Sequence, residues 1–134
     1  MADFCLVLVT CAGRTEAGRI AGALVAKKAA ACVNILPGLQ SVYRWKGKIE
    51  RSSEVLLVAK SRLKSFAAIS KIIRQLHSYE CPEILAVPIQ KGHPPYMEWL
   101  KTSVSLRGGE AARRPTPHWR RHSSRRLGGA GVAI

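Results

Sequence analysis

The chain has 134 residues, 47% of them hydrophobic, which supplies one small core and leaves too little length for two comfortable domains. Its net charge is +14, but the excess is uneven: residues 1–106 carry +8, and the last 28 residues carry 7 Arg against 1 Glu, or +6. A nucleic-acid or anionic-membrane role for the whole domain is therefore disfavoured, and Cys5, Cys11, Cys32 and Cys81, with no CxxC pair, disfavour a structural zinc site.

The first element is a strand over Asp3–Cys11, a continuous apolar run whose length suits burial on both faces. It is too short, and lacks the basic flank, for a signal peptide or membrane span, so the expectation is a reducing, cytoplasmic compartment. Gly13 breaks the strand. Ala17, Ile20, Ala21, Leu24, Val25 and Lys28 then recur at helical spacing, with Thr15 as the expected cap, Glu16 in the first turn and an end near Ala30.

A second strand starts at Cys32, is interrupted at Pro37-Gly38 and resumes over Gln40–Lys46. Gly47 supplies the turn, and Lys48–Lys60 returns as the third strand of a hairpin. Leu63, Phe66, Ile69, Ile73 and Leu76 mark a second amphipathic helix between Arg62 and His77. Pro82 favours extended backbone at Cys81, Ile84–Ile89 is a fourth strand, and Pro94-Pro95 open a short helix carrying Tyr96, Trp99 and Leu100.

The order βαββαβ plus a short C-terminal helix is an α+β, ferredoxin-like arrangement: a four-stranded antiparallel sheet with two helices on one face. Hairpin arms of a dozen residues reach about 40 Å, beyond what a domain of roughly 13 Å radius of gyration covers. They nevertheless carry Ile35, Leu36, Val42, Tyr43, Trp45, Ile49, Val55, Leu56 and Val58. Such arms predict a closed homo-oligomer in which neighbours cover them.

Residues 1–106 are read as the folded domain and 107–134 as a basic, disordered tail without lysine or apolar periodicity. The tail's Arg pairs, with His118 and Trp119, also allow an RNA-binding arm, although the core sheet lacks the aromatic pattern of an RNA reader and nucleic acid is not the favoured partner.

Candidate chemistry is sparse. Cys32 reads as a small packed side chain within an alternating run, with a reactive thiol as the alternative. Cys11, at the end of strand one beside a helix start, is either packed or an accessible thiol stabilised by the helix N-terminus. In HSYECPEI, His77 and Cys81 lie four residues apart beside Glu80 and Glu83. They suit a soft or borderline metal such as copper, while His77 alone would serve the helix dipole. No Gly-rich phosphate loop, Ser/His/Asp set or carboxylate pair stands out, so a non-enzymatic protein with no required cofactor is expected.

ACVNILPGLQSVYRWKGKIE, SEVLLVAKS, HSYECPEILAVPI and PPYMEWL together resemble the CutA family of divalent-cation-tolerance proteins over about Phe4–Val104. The resemblance implies a ferredoxin-like fold similar to the PII signalling proteins, a tight homotrimer, and a link to copper and other divalent cations. In mammalian relatives it implies association with acetylcholinesterase and its membrane anchoring. Carried over by position, Cys11 and His77 become the metal candidates, joined by Cys81. Tyr43, Trp45, Lys60, Glu83, Tyr96 and Trp99 become residues of intersubunit clefts suited to a small anion or a protein partner. The chain departs from the family pattern in having Ala12 and Ser78 where Pro is usual, Ala29 where Leu is usual, and Leu76 where some bacterial relatives have a second His.

Overall fold

β1 (Phe4–Cys11) sits in the middle of the sheet, whose strand order is β2-β3-β1-β4 with every pair antiparallel. Because side chains alternate along a strand, Cys5, Val7, Val9 and Cys11 all point to one face, where they are fully buried. The computed structural model describes residues 3–105; the basic segment 107–134 lies outside the described residues.

α1 (Arg14–Ala26) lays Ala17, Ile20 and Leu24 on that face, and α2 (Phe66–Leu76) adds Ile69 and Ile73. β3 (Lys48–Arg62) completes the core with Val55, Leu57 and Ala59. The ferredoxin-like topology is therefore observed. Local details differ from the sequence expectation. α1 is capped by extended Gly13 rather than Thr15, and a single 3-10 turn at Leu63–Ser65 precedes α2, so Leu63 and Phe66 reach the core from its margin. β4 is only Leu85–Pro88, paired with β1 from Leu8 to Cys5, and the Ile89 N–H adds one more bond to the Phe4 carbonyl at 2.9 Å. α3 (Pro94–Ser103) runs against β3, with Leu100 fully buried.

The other face of the sheet is apolar and lies away from α1 and α2. Residues directly opposite one another share a face, which groups Leu8 with Val58 and Leu85, Leu6 with Val87, and Thr10 with Leu56. Leu85 and Val87 are 54% and 42% exposed. Cys32 and Asn34 lie on this side beside Lys60 and Val58, their cross-strand partners.

β2 (Cys32–Trp45) and β3 form the expected long hairpin, and β2 at 14 residues spans roughly 45 Å at ~3.3 Å per residue. Its two-residue turn, Lys46-Gly47, has positive φ at both positions (49° and 79°), the geometry that matches strand twist. Near Pro37-Gly38 the strand is bulged, not broken: Leu36 pairs with Leu56 but Leu39 pairs with Glu54, one extra residue on β2. Val55 is not part of the overhang. β1 pairs with β3 as far as Val55, so the unsupported arm begins at Glu54 and carries Val42, Trp45 and Ile49, which are 59%, 50% and 63% exposed.

Candidate functional site

α2 ends at Leu76, and His77 turns to extended backbone while its N–H still bonds the Ile73 carbonyl at 2.8 Å. This turn sends the imidazole inward, its side chain fully buried, to the end of β1. Nε2 lies 2.8 Å from the Thr10 carbonyl oxygen. A carbonyl only accepts, so Nε2 carries the proton and donates, and Nδ1 is left with the lone pair. Nδ1 accepts the Tyr79 N–H at 3.1 Å.

Glu16, in the first turn of α1, is 8% exposed because helical spacing places it with Ala17 and Ile20 toward the protein rather than solvent. Its carboxylate accepts the Ser78 N–H (3.2 and 3.3 Å to its two oxygens) and the Ser78 hydroxyl (3.0 Å). Oε2 also approaches His77 Nδ1 at 3.7 Å. With Cys11 these residues form a group of one sulfur, one nitrogen and one oxygen donor within 4.8 Å of one another.

Cys11 is fully buried, and its thiol is pushed up from the ordinary 9.0 to about 11 by burial first, then by the nearby Glu16 and Glu54 carboxylates. Full burial runs against the reading of Cys11 as an accessible thiol, and desolvation and two acids oppose the helix end. Tyr79, beside this group, lies tilted against His77 with ring centroids 4.7 Å apart and donates its hydroxyl to Glu54 Oε2 at 2.8 Å. Burial and this carboxylate raise the Tyr79 phenol, and burial together with Glu54 raises Glu83.

Of the metal candidates from sequence, Cys11 and His77 converge, whereas Cys81 is exposed and outside the group. The reason is local. The chain after His77 runs outward through Ser78 and Tyr79, carrying Cys81 to the surface, and Glu16 takes the third place. The signal for Glu16 is its position in the first turn of α1, which only two residues separate from β1, and where an acid also suits the helix N-terminus.

The residues proposed for intersubunit clefts stand on the arm, the sheet, the loop before β4 and α3. Tyr43 and Trp45 stand on the exposed arm, Tyr43 hydrogen-bonded to Ser52 at 2.8 Å and the Trp45 ring 5.9 Å from Lys46 Nζ. Lys60 is on the open sheet face, where its Nζ donates to Asn34 and lies 3.7 Å from Cys32 Sγ. Cys32 is packed, as read, but on this face rather than in the core under the helices. Tyr96 and Trp99 pair on α3 with ring centroids 5.5 Å apart.

The molecule is thus a ferredoxin-like α+β protein with a buried S/N/O donor group where β1, α1 and the loop after α2 meet. Residues 5–103 match the family described as CutA1 divalent ion tolerance protein, and the chain belongs to that family. A Protein CutA homolog of Xenopus laevis is 46% identical over 92 residues, 69% of this chain and 61% of that one. Protein CutA of Mus musculus is 45% identical over 92 residues, so the chain spans about half the length of this relative (52%). The divalent-cation tolerance protein CutA of Thermus thermophilus is 43% identical over 99 residues, 74% of this chain and 96% of that protein. Among solved structures, CutA1 from Oryza sativa superposes with a TM-score of 0.76 at 39% identity, covering 78% of this chain and 96% of that one. The Thermus thermophilus Cut A1 structure gives 0.75 at 40% identity, covering 76% and 99%. Among the described residues no helix is long and apolar enough to cross a membrane.

Proposed function

We propose that this chain is a non-enzymatic, metal-responsive member of the divalent-ion-tolerance family, assembled as a homotrimer and contacting copper or a similar cation through Cys11 and His77. The single observation that carries the metal reading is the convergence of Cys11, Glu16 and His77, brought from three segments to within 4.8 Å. Thiolate, imidazole and carboxylate suit soft and borderline ions better than magnesium or calcium, which prefer all-oxygen shells. The donors fit such an ion after drawing together, since ligands around a small cation stand on the order of 3.5 Å apart. Support for assembly comes from the open face of Leu6, Leu8, Val58, Leu85 and Val87 and from the exposed arm. Free thiols at Cys5, Cys11, Cys32 and Cys81 support a reducing, cytoplasmic setting.

Calorimetric titration of wild type and His77→Ala with Cu(I) and Cu(II) tests the site: binding is expected to weaken strongly in the variant, and unchanged binding removes His77. Native mass measurement tests assembly, and a monomer overturns it. A second reading, a PII-like scaffold for a small anion or protein partner such as acetylcholinesterase or its anchoring complex, is favoured by the exposed Tyr43, Trp45 and Lys46 of the arm. An anion that raises the melting temperature without metal supports it.

A further inference from the structure

Two of the three donors are already engaged, and their partners come from two successive residues of one loop. Ser78 occupies Glu16 through its N–H and its hydroxyl. Tyr79 occupies the Nδ1 lone pair of His77 through its N–H. An imidazole nitrogen in the Nε2–H tautomer has one lone pair at Nδ1, so it cannot hold the Tyr79 amide and a cation together. Glu16 Oε2, the oxygen 3.7 Å from Nδ1, is also the acceptor of the Ser78 hydroxyl. Cys11 and the His77 side chain are fully buried, whereas Ser78 and Tyr79 of this loop are exposed.

We propose that Ser78 and Tyr79 form a latch over a Cys11–Glu16–His77 cation site, such that loading a soft or borderline divalent cation and closing the loop onto Glu54 exclude each other. The inference rests on the reading of Cys11 and His77 as metal ligands, and adds Glu16 and a means of regulation. On loading, the cation replaces the proton on Cys11 Sγ, so one S–metal bond forms, one proton goes to solvent, and no electron moves. The ion takes the Nδ1 lone pair, which releases the Tyr79 amide, and its pull on Glu16 Oε2 competes with the Ser78 N–H and hydroxyl for that oxygen. Tyr79 also carries the hydroxyl bonded to Glu54 Oε2, and Glu54 marks where the arm leaves the support of β1. Occupancy of the site is thereby passed to the root of the hairpin.

The test uses the full chain with Cys81→Ser, to remove the exposed thiol, and Cd²⁺ as the probe in weak buffer. Expected are one proton released per ion, faster amide exchange at residues 78–81 on loading, and loss of binding in Cys11→Ser. Ser78→Ala and Tyr79→Phe each remove one hydrogen bond of the closed latch, and should bind Cd²⁺ about three- to tenfold tighter. Unchanged exchange at 78–81 in the loaded protein, or wild-type affinity in both latch variants, overturns the latch and leaves the metal reading standing. No Cd²⁺ binding, or equal binding by Cys11→Ser, removes both.

Discussion

Raising the pH from 8 to 11 should cost this fold stability through one thiol. Cys11 is fully buried, and its folded-state value of about 11 exceeds the ordinary 9.0, so the folded protein binds the thiol proton more tightly than the unfolded chain does. The stabilisation that this represents is fully present below pH 9 and is lost as pH climbs through 11. Taking the two values, proton linkage gives a loss of about 1 kcal/mol by pH 10 and about 2 kcal/mol by pH 11. Tyrosines and lysines titrate in the same range, so the quantity to measure is the difference between wild type and Cys11→Ala. Urea unfolding curves at pH 8, 9, 10 and 11 supply it. Wild type should lose about 2 kcal/mol more than the variant across that window. Two stability curves that stay parallel to pH 11 would refute the claim that burial and the neighbouring Glu16 and Glu54 hold this thiol protonated.

Gly18 and Gly22 lie inside α1, and a Cβ added at either meets nothing within 4 Å; Gly18→Ala and Gly22→Ala should each add about 0.5–1 kcal/mol in urea unfolding. Lys28 follows α1 with φ at 58°, a conformation costly for a side chain, so Lys28→Gly should raise the unfolding midpoint by an equivalent of about 1 kcal/mol. Ile73 is fully buried under α2, and Ile73→Ala should cost about 2–5 kcal/mol by the same assay. Leu8→Asp alters the open sheet face without entering the helix-covered core; native mass measurement should show a smaller assembly, and an unchanged mass would place the interface elsewhere.

The fold was legible because its strongest signals are periodic. Ile69 and Ile73 keep helical spacing and are buried, and the Val and Leu run of β1 required a covered strand. The arm's length was also readable, but not where it starts, because that depends on which β3 residues β1 reaches. The site was only half legible. Cys11 and His77 are 66 positions apart and could be nominated by chemistry, whereas Glu16 resembled an ordinary helix-start acid until the loop after α2 was seen folding over it. Cys81 was favoured by its nearness to His77 in sequence, and proximity along a loop says little about the direction in which a side chain is carried. Ser78 first appeared as a departure from the resemblance; its N–H and hydroxyl bond Glu16, and proline has neither donor.

The bulge near Gly38 reconciles two demands on the hairpin that arithmetic sets against each other. A two-residue turn at Lys46-Gly47 pairs Trp45 with Lys48, so every directly facing pair near the tip has position numbers that add to an odd total. At the root, Cys32 faces Lys60 and Leu36 faces Leu56, and those totals are even. The tip and the root are thus written in different reading frames, and the extra residue on β2 is the frameshift between them. β3 itself is not bulged, so its pleat carries from root to tip and, through the facing pairs, puts Tyr43 and Trp45 on one side of the arm and Val42 and Arg44 on the other. A single deletion between Leu36 and Leu39 would therefore remove the bulge and the extra bend it gives the strand, re-aiming the arm while leaving every facing pair and both of its sides as they are.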